Sequence, residues 1–74
     1  MAVYPIPVER LDALIEDAKV RGYYYWKRTD HDQVVNTIWP DHEVRAQDGT
    51  VIGRSYSYNW AWVQAFRALG LIPQ

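Results

Sequence analysis

Between residues 8 and 21 the apolar positions return every three or four residues. At about 100° per residue, Val8, Leu11, Leu14, Ile15 and Ala18 fall on one arc, and Glu9, Arg10, Asp12, Glu16, Asp17 and Arg21 on the other. Pro7 suits the first helical position, where its missing N–H would have had no intrahelical partner, so the pattern predicts a helix over residues 7–21. Acids lead and bases trail, as the helix dipole prefers, and Asp17 with Arg21 makes an i,i+4 pair. Gly22 supplies the stop. Ahead of this helix, Pro5 and Pro7 bias residues 1–7 toward an extended arm.

The period then shortens. Residues 23–29 are too rich in aromatics and too short to read as a helix, and predict a strand. Asp30-His31-Asp32 reads as a turn. In residues 33–39, Val34, Val35, Thr37 and Ile38 favour a strand, while Asp32 as a cap would favour one short helix; the strand is preferred. Pro40-Asp41 ends that segment. Residues 43–47 and 50–56 flank Asp48-Gly49, the signature of a hairpin closed by a type I′ turn. Pairing Gln47 with Thr50 sets Ala46 opposite Val51 and Val44 opposite Gly53, leaving Arg45, Ile52 and Arg54 on the other face.

A helical period resumes at residues 60–69, with Asn59 as the expected cap and Gly70 as the stop. Leu71 would make the hydrophobic contact of that stop, and Pro73 forbids continuation. Trp62, Val63, Ala65, Phe66 and Leu69 form the arc expected to be buried, and Trp60 falls in the middle of the polar one. The resulting order, α-β-β-β-β-α, predicts an α+β fold. An antiparallel sheet of three to four strands carries an N-terminal and a C-terminal helix on one face, all within a single domain spanning residues 1–74. Neither helix joins two strands, so no parallel pair is expected.

Composition sharpens this picture. A chain of 74 residues buries only about 60% of the surface its unfolded form exposes, so it needs dense packing, a staple or self-association. With no cysteine, disulfides and thiolate metal sites are excluded, and the cytoplasm is the compartment that fits. Four Trp, six Tyr and one Phe supply the packing. Eight basic against nine acidic residues leave a net charge of −1, which steers the chain toward neither nucleic acid nor an anionic membrane and is compatible with a homodimer. The first seven residues carry no basic, apolar signal, and no apolar run reaches the roughly 18 residues a membrane span needs.

Candidate chemistry is sparse. Asp30-His31-Asp32 and Asp41-His42-Glu43 each set an imidazole between carboxylates, ligand types that suit a divalent metal. A strand between them would hold the two histidines roughly 20 Å apart, so two polar turns are the expectation and no metal or other cofactor is assigned. Ser55 and Ser57 sit in no Gly-x-Ser-x-Gly elbow, and no phosphate loop or dinucleotide fingerprint occurs, so the chain is not expected to be an enzyme and no catalytic residue is assigned.

Binding is the stronger expectation. In the aromatic run, either Tyr23, Tyr25 and Lys27 or Tyr24, Trp26 and Arg28 face away from the helices. The first set, with Trp26 inward, is the one expected to join Arg45, Arg54 and Tyr56, and Trp60 adds an exposed aromatic on the last helix. Interface cores favour Tyr, Trp and Arg over Lys, and this chain has six Arg and two Lys. The expected function is a non-enzymatic regulator or inhibitor that occupies a surface of a larger protein or complex. Phage-encoded anti-CRISPR inhibitors of host machinery are small proteins of that class. The alternative is single-stranded nucleic-acid binding through the basic, aromatic sheet face. Against it, residues 21–58 hold five bases and five acids, so the field there nearly cancels.

Overall fold

Pro7 opens the first helix from outside it. In the computed structural model, which describes residues 4–28 and 40–73, α1 spans Val8–Val20 and Pro7 is its cap residue, with φ −58° and ψ 147°. The extended ψ keeps Pro7 out of the helix, but its carbonyl still accepts from the Leu11 N–H at 2.9 Å. Leu11, Ile15 and Ala18 are buried and Leu14 is half-buried, as the spacing predicts. Val8 is exposed, in the first turn and clear of the core. Arg21 Nε donates to Asp17 at 2.7 Å. Beyond the helix, Gly22 N–H reaches Lys19 O and Tyr23 N–H reaches Ala18 O, the paired bonds of a Schellman stop.

Three strands follow: β1 at Tyr24–Lys27, β2 at His42–Arg45 and β3 at Val51–Ser55. They form one antiparallel sheet in the order β1-β2-β3. The strand expected over residues 33–39, and the turn before it, lie outside the described residues. Across the sheet, Tyr25, Val44 and Gly53 make one row, Trp26, Glu43 and Arg54 the next, and Lys27, His42 and Ser55 the third.

The hairpin keeps the expected pairing of Val44 with Gly53 but not the expected turn. Gly49 N–H bonds to Ala46 O at 2.9 Å, so the turn is centred on Gln47-Asp48. Gly49 follows at φ 91°, and Ala46 N–H bonds to Thr50 O at 2.8 Å. A glycine in the left-handed region after the turn adds one residue to the loop. Arg45 therefore faces Val51, which Ala46 was expected to do, and a bulge restores the register at Val44.

The second helix, α2, spans Tyr58–Ala68. Its cap is Ser57, whose hydroxyl accepts from Trp60 N–H at 3.4 Å; Asn59, the expected cap, lies inside the first turn. Ser57 takes the role because it holds the extended geometry, φ −147° and ψ 162°, that a cap needs. Ala61, Trp62, Val63, Ala65 and Phe66 are buried. Leu69 lies past the helix end and is exposed, as is Leu71, while Ile72 returns to the core instead. A second Schellman stop ends the helix, Gly70 N–H to Arg67 O and Leu71 N–H to Phe66 O.

α2 lies across β2 and β3, and Gly53 lets it come very close. A Cβ at Gly53 would stand 2.5 Å from Ala65 N and 2.6 Å from Ala61 O, so only a bare backbone fits beneath the helix. Leu11, Ile15 and Ala18 of α1 join Val44 and the α2 residues in one core. The fold is α+β, helix–sheet–helix, and no described helix is long and apolar enough to cross a membrane.

Candidate docking face

Side chains alternate along a strand, so the row that meets α2 decides what its neighbours do. Val44 is fully buried, Gly53 touches α2, and the Tyr25 ring lies 4.8 Å from the Tyr58 ring of that helix. Tyr24, Trp26, Glu43, Arg45 and Arg54 are thereby placed on the outer face.

Glu43 is the centre of that face and has no exposed surface. One oxygen, Oε1, accepts from Arg45 Nε at 3.0 Å and Nη2 at 2.8 Å. The other, Oε2, takes Arg54 Nε at 3.2 Å and Nη2 at 3.0 Å, with Arg28 Nε at 3.9 Å. The Arg45 guanidinium lies over the Trp26 ring, 5.0 Å from its centroid. Hydrogen bonding to Glu43, helped by its charge and by Tyr24, holds the Arg45 pKa above the ordinary value. Trp26 remains 49% exposed. The result is an aromatic and guanidinium surface fixed from beneath by one buried carboxylate.

The seven residues expected to bind do not assemble. Arg45 and Arg54 meet on the outer face, but Trp26, expected inward, stands there in place of Tyr23, Tyr25 and Lys27. Tyr25 is on the helix side, where its hydroxyl lies 2.6 Å from His42 Nδ1, and burial pushes its phenol pKa up. Lys27, in the row with His42, shares that side of the sheet. Tyr23 packs on the core, and Tyr56 is exposed beyond the end of β3. Trp60 is half-buried: the Tyr4 ring lies 5.2 Å from it, Arg67 stands 5.9 Å from its centroid, and Asn59 Nδ2 donates to Tyr4 Oη at 3.4 Å. The N-terminal arm covers it.

Sequence reasoning weighed Tyr24 and Trp26 only as the alternative outward set, and Glu43 only within a triplet of metal-ligand types. The readable signal was the hairpin register, since Val44 opposite Gly53 already put Glu43 with Arg54. The triplet Asp41-His42-Glu43 is no turn either, because His42 and Glu43 are consecutive strand residues that point to opposite faces. The first triplet lies outside the described residues. Among the described residues, no group of three His, Asp or Glu side chains is placed to hold a metal ion.

On another side, the two helix stops border one open groove of about 300 Å³, lined by Leu14, Asp17, Arg21, Tyr23, Leu69 and Leu71. The sequence matches no family model, no curated protein and no solved structure, so function has to be read from the chemistry of these surfaces.

Proposed function

We propose that the chain is a non-enzymatic protein-binding domain, a small regulator or inhibitor that docks its outer sheet face on a larger protein or complex. The observation that carries this reading is the half-exposed Trp26 with Arg45 stacked on it and Glu43 holding Arg45 in place. Trp, Tyr and Arg dominate the energetics of protein interfaces, and groups already held in their bound geometry lose less entropy on association. A cysteine-free chain suits a reducing compartment, and the cytoplasm is proposed on that ground.

Single-strand nucleic-acid binding is the second reading. The same guanidiniums beside an exposed indole favour it, because bases stack on such platforms. A tagged chain and its Trp26→Ala variant, used for affinity capture from the native host with and without nuclease, separate the two. The expected result is a protein retained after nuclease by the parent chain and lost by the variant, with the two chains melting alike. Capture that vanishes with nuclease favours the second reading. Capture indifferent to Trp26 removes the outer face from either one.

A further inference from the structure

We infer that the outer face reads a carboxylate, so that the partner presents an aspartate or glutamate flanked by a flat apolar side chain. This rests on the protein-binding reading above and narrows it.

Donor accounting comes first. A guanidinium has five N–H groups, and Arg45 and Arg54 each turn two nitrogens, Nε and Nη2, toward Glu43. Their remaining N–H groups sit on side chains 26% and 45% exposed, those of Arg45 being shared with Tyr24. Three guanidiniums, those of Arg45, Arg54 and, at 3.9 Å, Arg28, close on the one buried carboxylate of Glu43, so the cations around it outnumber it.

Geometry then separates the anions. A nucleic-acid strand is held by cations spread along a groove, whereas here Arg45 and Arg54 converge within 3.2 Å of one carboxylate. Convergence suits a point anion. A phosphoryl group is drawn by the same guanidiniums, so the titration below has to separate it from a carboxylate. The fork of an arginine matches a carboxylate in plane, and the open side of Trp26 receives the neighbouring apolar group.

The test is an NMR titration of the full chain, following the Arg45 and Arg54 Nε–H and the Trp26 indole N–H signals. The probes are a capped Phe-Glu dipeptide, its Phe-Gln counterpart, a capped Phe-phosphoserine dipeptide and an oligo(dT) strand. Phe-Glu should move all three signals saturably and bind about tenfold tighter than Phe-Gln, the difference between a charged and a neutral acceptor. Phe-phosphoserine binding more tightly than Phe-Glu overturns the carboxylate assignment. Arg54→Gln should lose the preference for Phe-Glu, and Arg54→Lys, which keeps a charge for Glu43 but not the fork, should lose it too while holding more of the parent's stability. Equal binding of Phe-Glu and Phe-Gln, or no movement of the three signals, overturns the inference. So does movement on concentrating the chain alone, which would make a second copy the occupant. If a captured partner needs Trp26 but not Arg54, the carboxylate inference fails while the protein-binding reading stands. Tighter binding of oligo(dT) than of any dipeptide overturns both.

Discussion

Burying Glu43 beneath arginines sets two large terms against each other. Removing a carboxylate from water costs several kcal/mol, and only close, multiple hydrogen bonds repay it. Three hydrogen bonds of 2.8–3.2 Å and the Arg54 Nη2 ion pair at 3.0 Å do so here. Glu43→Ala should therefore cost about 1.5–3 kcal/mol in urea unfolding, the range for hydrogen bonds to charged groups, because the released guanidiniums are partly exposed and can rehydrate. A loss within error would show that the cluster contributes no stability. Asp48 offers a pH-dependent counterpart. Its Oδ1 accepts from the Thr50 backbone N–H at 3.0 Å, which holds the carboxyl below its ordinary value of 3.8. A lowered folded pKa means stability that is complete above pH 3.8 and fades as pH falls through the folded value. The melting temperatures of the parent chain and Asp48→Ala should differ at neutral pH and converge in strong acid. A constant gap would detach Asp48 from the turn.

Each element depends on one or two contacts that side-chain volume decides. Trp62 and Phe66 are fully buried in α2, and truncating either to alanine should cost about 3–5 kcal/mol by chemical denaturation. Trp60→Ala should cost less, since Trp60 is only half-buried, and should release the arm that Tyr4 anchors; proteolysis within residues 4–7 reads that release. Equal losses at positions 60 and 62 would contradict the burial seen here. Gly53→Ala should destabilise by the upper end of the roughly 1–3 kcal/mol typical of overpacking, because the obstructing atoms, Ala65 N and Ala61 O, belong to a helix backbone. These examples also explain what could be read in advance. Helix positions were legible because apolar spacing leaves few alternatives, whereas the Val44–Gly53 pairing survives a different turn only because a bulge restores the register. The direction of β1 was not: Tyr23 to Trp26 offers four aromatics in a row, with no polar contrast to say which face is wet. The partner strand settles it, by placing Tyr25 beside Val44. Ser57 was passed over as a cap because Asn59 is as good a capping residue, and only backbone geometry distinguishes them.

At the scale of the molecule, the fully buried Trp62 and Phe66 and the absence of cysteine make aromatic packing the expected source of stability. Unfolding should accordingly be indifferent to chelators and reductants, and a melting temperature that moves by several degrees with EDTA would contradict that. The near-neutral charge makes association slow to respond to salt, so an interface of the kind proposed should tighten through its dissociation rate. One feature of the packing gives that interface a remote witness. Arg54 faces outward, and its neighbour Gly53 meets the backbone of α2 with no side chain between. Ligand face and helix are thus separated by the thickness of a single strand, with no compressible layer to absorb movement. Occupancy outside should be felt within, as slower amide exchange at Ala61 and Ala65, the two residues that rest on that strand.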